Sequence, residues 1–241
     1  MPKLVRRRFV TVGALLAAVC TILAGCTLSS RLPDEKVVLT TFTVLADIAS
    51  EVAGDRLQVE SITKPGAEIH GYEPTPGDIR RAATASLVLD NGLNLEAWFA
   101  QFVDGLDVRH VVVSEGVEPI DIASDAYAGK PNPHAWMSPV NVQIYVDNMV
   151  RAFTELDPDG AATFESNATA YKRQLQQVQT DLTSALAGLP ANERALVTCE
   201  GAFSYLARGY GLQELYLWAV NSDEQGSPQQ IRRVVDQVRK A

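Results

Sequence analysis

The chain has 241 residues, 46% of them hydrophobic and 21% charged, with 29 acidic against 21 basic side chains and a formal net charge of −8. That balance is ordinary for a folded protein and excludes a disordered tail, and the length admits one large domain or two small ones. The acidic surplus argues against nucleic acid as a partner.

Lys3 and Arg6 to Arg8 precede an apolar run from Phe9 to Leu23, which closes on Leu23-Ala24-Gly25-Cys26. A charged start, an apolar stretch and a small-residue cleavage site make residues 1–25 a predicted export signal, too short in its apolar part for a bilayer span. Arg6-Arg7-Arg8-Phe9 also resembles a twin-arginine signal. Cysteine directly after small residues is the pattern of a bacterial lipoprotein, so Cys26 is expected to carry lipid and hold the protein on the extracytoplasmic face of the cell membrane. Without Lys3, Arg6, Arg7 and Arg8 the exported part keeps 17 basic and 29 acidic residues, a net charge of −12. With Cys20 removed and Cys26 lipidated, Cys199 has no partner; a disulfide framework is excluded and a buried, inert thiol is expected there.

Residues 26–36 read as a tether. Val37 to Val44 is β-branched and reads as a strand, followed by a helix on which Leu45, Ile48, Ala49 and Val52 share a face and which Gly54 ends. Leu57 to Ile62 is a second strand. Thr75-Pro76 is an N-cap and first-turn proline for a helix to Thr84, Ser86 to Leu89 a third strand, Leu95 to Val103 a helix, and Val111 to Val113 a fourth strand that leaves His110 just outside it. This alternation predicts a small parallel sheet covered on both faces, with ligand-binding loops at the carboxyl ends of its strands.

Pro139 opens a helix to Leu156, and Asp157-Pro158-Asp159-Gly160 interrupts it. From Ala161 to Leu186 the chain lacks Gly and Pro, and Phe164, Ala168, Tyr171, Leu175, Val178 and Leu182 recur three or four apart, which predicts one helix of about 26 residues and roughly 39 Å. Arg194 to Cys199 and Leu215 to Val220 are two further strands, with a short helix around Tyr205 to Arg208 between them. Ser227-Pro228 caps a last helix to Arg239. The predicted fold is α/β: an N-terminal lobe over 37–156, a linking helix over 157–190 acting as a rigid strut, and a partial second lobe over 191–241 with only two strands.

Chemistry concentrates in two loops. Pro131-Asn132-Pro133-His134-Ala135-Trp136-Met137-Ser138-Pro139 fixes one imidazole between prolines, and Pro65-Gly66-Ala67-Glu68-Ile69-His70-Gly71-Tyr72-Glu73-Pro74 does the same for a second. Neutral imidazole is the commonest protein metal ligand, and a stiff loop loses little entropy on binding. Both loops are therefore expected to point at one metal ion. Glu73 stands three residues from His70, but Gly71 and Pro74 oppose the helix that joint ligation would need; Glu68 or Glu73 is expected instead to accept the imidazole's other N–H. Trp98, Trp136 and Trp218 are expected to pack. No phosphate-binding glycine loop, HExxH or paired-cysteine zinc motif occurs.

Those two loops, with Asp90-Asn91-Gly92-Leu93-Asn94-Leu95-Glu96-Ala97-Trp98, Thr198-Cys199-Glu200-Gly201-Ala202-Phe203 and Trp218-Ala219-Val220-Asn221-Ser222-Asp223-Glu224-Gln225-Gly226-Ser227-Pro228, resemble in order the manganese and zinc substrate-binding lipoproteins of ABC importers. The resemblance implies two lobes joined by a rigid helix with the metal between them, a membrane permease and its cytoplasmic ATPase as partners, and no enzymatic activity. By position it makes His70, His134 and Glu200 the metal ligands. Zinc members tend to have histidine at the third place, and a carboxylate hardens the site toward Mn²⁺, the expected ion, with Zn²⁺ or Fe²⁺ as alternatives. The family's fourth ligand is a carboxylate on a final stretch this sequence does not have, which leaves water, Asp223 or Glu224 for the open side. Two rival readings are a hydrolytic zinc enzyme, whose two-His-one-carboxylate site is similar, and an adhesive surface lipoprotein with a structural metal.

Overall fold

The computed structural model describes residues 36–103, 106–123, 127–220 and 226–240. The export signal, Cys26, most of the tether, Asp223 and Glu224 lie outside the described residues. Strands β1 (Val37–Thr40), β2 (Gln58–Ser61), β3 (Leu87–Asp90) and β4 (His110–Val112) form one parallel sheet in the order β2-β1-β3-β4. The two central strands, β1 and β3, are buried along their whole length, as near-continuous apolar strands in a sheet covered on both faces must be.

Alternation along these strands sorts the core into two layers. Val38, Leu87 and Leu89 pack with Leu45, Ile48 and Val52 of helix α1 (Thr43–Ala53), whereas Leu39 and Val88 point the other way, toward Ile62, Ala82 and Phe99. Ala82 belongs to α2 (Pro76–Ala83), which starts at the N-cap read from Thr75-Pro76 in a capping box: Thr75 Oγ1 accepts the Asp78 N–H and Asp78 Oδ2 accepts the Thr75 N–H. Phe99 belongs to α3 (Ala97–Val103).

Helix α4 (Pro139–Leu156) lays Val142, Tyr145, Val146, Met149 and Phe153 on the α1 side of the sheet. A single 3-10 turn, Pro158–Gly160, leads into α5 (Ala161–Ala187), one helix of 27 residues. Only Phe164 and Ala168 of α5 are fully buried, with Tyr171 and Leu175 partly buried on the same cluster. Its first half is therefore anchored on α1 and α4, and its far end leads to the second sheet. There Arg194 donates to the Leu186 and Leu189 carbonyls and opens a two-stranded parallel sheet of β5 (Ala195–Glu200) and β6 (Gln213–Trp218). Helix α6 (Ser204–Tyr210) joins these strands, and α7 (Pro228–Val238) follows with a Ser227/Gln230 capping box.

Two expectations need correction. The first strand ends at Thr40 and not at Val44: the Thr40 hydroxyl donates to the Phe42 carbonyl and the chain enters α1 from an extended Phe42, so Val44 lies on the helix, 41% exposed. The apolar stripe from Leu45 onward outweighs the β preference of a single Val. Cys199, expected in the core, is exposed, as is Val197 on the same face of β5.

Candidate metal centre

The three ligand candidates stand at the carboxyl ends of strands or in the loops that follow. The His70 loop leaves β2, the His134 loop follows β4, and Glu200 is the last residue of β5, opposite Trp218. His70 Nε2 and His134 Nε2 are 3.2 Å apart, and Glu200 Oε1 is 3.4 Å from the first and 3.5 Å from the second. These atoms form a nearly equilateral triangle, and among the described residues they are the group able to hold a metal ion. A point just off the triangle's plane lies about 2 Å from all three corners, within the roughly 2.0–2.2 Å that transition metals take to imidazole nitrogen and carboxylate oxygen.

Each imidazole is held from behind. His70 has its main-chain N–H on Glu68 Oε1 at 3.0 Å, and the preceding carbonyl, Ile69 O, accepts from Trp98 Nε1 at 2.8 Å. Glu68 thus grips the backbone of the His70 loop and not its ring, and Glu73 is exposed. His134 N-caps a 3-10 turn, Ala135–Met137. Its ring packs against Trp136 at a centroid distance of 5.2 Å, and its Nδ1 meets Asn132 Oδ1 at 2.9 Å. The acceptor beside the His134 ring is thus an amide two residues upstream, a position for which the sequence reading names no residue. Its sequence signal is the Asn between two prolines directly before the histidine.

A second set of buried polar groups holds the His134 loop on the side of the first sheet. Asn91 Nδ2 donates to Pro133 O at 3.0 Å, and Asn91 Oδ1 accepts from the Tyr145 hydroxyl at 2.6 Å. Glu96 Oε1 takes the Asn91 N–H and the Thr41 hydroxyl. Burial pushes the Glu96 carboxyl up to about 7, and does the same for Asp90. His110 opens β4 with Nε2 3.0 Å from Asp90 Oδ1.

Burial disfavours a proton on the His134 ring. The His134 side chain is 4% exposed. Burial draws its pKa down to about 4; the Glu200 charge opposes the shift and His70 adds to it. The ring is neutral at pH 7, the form a metal binds. Glu200 is the most accessible of the three, its side chain 30% exposed. Beside His70 lies a cavity of about 230 Å³ whose walls include Asn94, Tyr127, Lys130 and Pro133. A larger cleft of about 820 Å³ beside α2 contains none of the three ligand candidates.

Parallel sheets bearing two imidazoles and one carboxylate at their carboxyl ends define an α/β protein with a candidate metal site. The chain belongs to the zinc-uptake complex component A periplasmic (ZnuA) family, whose model matches residues 38–241. It is 51% identical over 203 residues to the iron-binding protein YfeA of Yersinia pestis, covering 84% of this chain and 65% of that relative's length. It is 33% identical to the manganese ABC transporter substrate-binding lipoprotein PsaA of Streptococcus pneumoniae, covering 97% of this chain and 79% of the relative. A solved structure of the Mn-bound periplasmic metal-binding protein from candidatus liberibacter asiaticus superposes with a TM-score of 0.78 at 35% identity, over 86% of this chain and 76% of the other.

Proposed function

We propose that this protein captures a divalent transition metal, Mn²⁺, between His70, His134 and Glu200 and delivers it to an ABC permease driven by a cytoplasmic ATPase. It does so outside the cell membrane, anchored by lipid on Cys26. The observation that carries this reading is the triangle of ligand atoms, 3.2–3.5 Å on each side, drawn from two loops and a strand end that lie far apart in sequence. The names of the relatives, an iron-binding protein and a substrate-binding lipoprotein, support capture over catalysis, and the second supports the lipid anchor.

The choice of Mn²⁺ rests on Glu200. A carboxylate in the third place makes the donor set harder than three imidazoles, which moves preference from Zn²⁺ toward Mn²⁺ and Fe²⁺. Fe²⁺ is the second reading, favoured by the 51% identical relative named for iron. Zn²⁺ exceeds both in intrinsic affinity for most sites, so discrimination has to come from geometry and supply.

Metal analysis and calorimetric titration with Mn²⁺, anaerobic Fe²⁺ and Zn²⁺ test the proposal. One ion per chain is expected, with binding lost in His70→Ala, His134→Ala and Glu200→Ala. An ion at about 100 times its Kd stabilises the fold by about 2.7 kcal/mol, or roughly 5–11 °C in Tm for a chain of this size, and Glu200→Ala removes that shift. A chain that binds none of the three ions, or binds them equally well after these substitutions, defeats the reading.

A further inference from the structure

Asn132 is 2% exposed, and the two ends of its side chain face opposite halves of the ion site. Oδ1 receives the His134 main-chain N–H at 3.0 Å and lies 2.9 Å from His134 Nδ1. Nδ2 donates to the Gly201 carbonyl at 2.7 Å and to Ser204 Oγ at 3.1 Å. Gly201 directly follows Glu200.

The orientation of this amide is fixed by partners that play one role only. A main-chain N–H can only donate, so Oδ1 faces His134; a carbonyl can only accept, so Nδ2 faces Gly201. The Ser204 hydroxyl agrees, because it donates to Glu214 Oε2 at 2.5 Å and so offers its lone pairs to Nδ2. Glu214 Oε1 in turn accepts the Phe203 N–H at 2.9 Å. Every bond from His134 to Glu214 therefore runs in one direction. With an acceptor fixed at Oδ1, the proton of the neutral His134 ring belongs on Nδ1, and the Nε2 lone pair faces His70 and Glu200.

We propose that Asn132 is the positioning residue of the metal centre: it selects the His134 tautomer that leaves Nε2 free for the ion and, through Gly201, ties that choice to the turn carrying Glu200. This rests on the metal-capture reading above. Without the amide, Nδ1–H loses its acceptor in a buried setting, and the proton gains by moving to Nε2, where Glu200 Oε1 and His70 Nε2 wait at 3.5 and 3.2 Å. A proton there blocks the ion. Tyr205 steadies the same element, its hydroxyl donating to Asn132 O at 2.7 Å and accepting the Ile120 N–H at 3.2 Å, so the backbone keeps a tether when the amide is removed.

The test uses Asn132→Ala and Asn132→Asp in the full chain. Nitrogen-15 NMR of the metal-free proteins at pH 8 reads the His134 tautomer, and calorimetry with Mn²⁺ reads affinity. The parent should show Nδ1–H. Asn132→Ala should move the proton to Nε2 and bind Mn²⁺ about 10- to 100-fold more weakly, the usual cost of losing a group that orients a ligand. Asn132→Asp keeps the acceptor for Nδ1–H but sets a second acceptor against Gly201 O, so it should hold the parent tautomer with intermediate affinity. Nε2–H in the parent, or an Ala variant with the parent tautomer and an affinity within twofold, overturns the proposal. If Asn132→Ala does not fold, loss of the Nδ1–H form in Asn132→Asp overturns it. A parent that binds no ion defeats the capture reading alone, and the tautomer of the metal-free ring still decides this one.

Discussion

Tyr145→Phe removes one oxygen from the interior and tests whether the polar groups beneath the His134 loop stabilise the fold as hydrogen bonds or as filler. Tyr145 and Asn91 are both fully buried, and the hydroxyl donates to Asn91 Oδ1 at 2.6 Å. Burial, and then the nearby Glu96, push the phenol's pKa well above its usual value, so it remains a donor throughout the working pH range. The other polar atoms of the Asn91 side chain and its N–H stay occupied in the variant, by Gly92 O, Pro133 O and Glu96. The whole loss thus falls on Oδ1, left buried without a donor, a cost of about 1–3 kcal/mol. At about 2 kcal/mol, Tm falls by roughly 4–8 °C for a protein of this size, and the urea midpoint falls with an unchanged m value. Tyr210→Phe is the internal control: the Tyr210 hydroxyl is buried with no hydrogen-bond partner among the described residues, so its removal should be neutral or stabilising. Equal losses in the two variants would refute the reasoning, since the hydrogen bond would then contribute nothing beyond the oxygen's volume.

Gly92→Ala should destabilise by about 2–5 kcal/mol, because φ is +76° and the new Cβ would meet Val112 Cγ1 at 2.4 Å and Ser114 Oγ at 3.2 Å, combining left-handed strain with overpacking; a change under about 1 kcal/mol in urea unfolding would show that the turn relaxes freely. Stability should also fall between about pH 5 and 8. Glu96 and Asp90 have folded-state values raised to about 7, so the native state holds more protons than the unfolded chain through that window, and stability present below the ordinary carboxylate range is lost as pH rises toward 7. For Glu96 alone the raised value corresponds to on the order of 3 kcal/mol, and Glu96→Gln should flatten the profile. Asp78, drawn down to about 2 by Arg81 and Thr75 against the opposing effect of burial, works in the opposite sense and below this window. A rising or flat profile for the parent between pH 5 and 8 would contradict the burial argument.

Much of the fold was legible because its signals are local. Pro139 and Leu156 bound their helix as read, since a first-turn proline and an Asp-Pro break act through the backbone alone. The long helix from Ala161 was legible from the absence of Gly and Pro and the recurrence of Phe164, Ala168 and Tyr171. Errors came where tertiary context decides. Val44 was placed in a strand by its own preference and is helical because Leu45, Ile48 and Val52 need one face. Cys199 was placed inside because lone exported thiols usually are, yet its face of β5 is exposed.

The site divides the same way. His70 and His134 stand out through stiff loops in a chain with three histidines, whereas Glu200 is singled out only by the family resemblance. The groups that orient them do not stand out, and the reason lies in donor count. The glutamate acceptor expected from sequence concerns His70; behind His134 an ionised carboxylate would not serve, because it only accepts, whereas the position at Asn132 must accept from His134 and donate to Gly201 at once. Asn91 faces the same demand, accepting from Tyr145 while donating to Pro133 O. An amide meets it without adding charge beside the ion. That requirement exists only once residues about 40 to 70 apart in sequence are brought together, so no spacing rule within either loop could have revealed it.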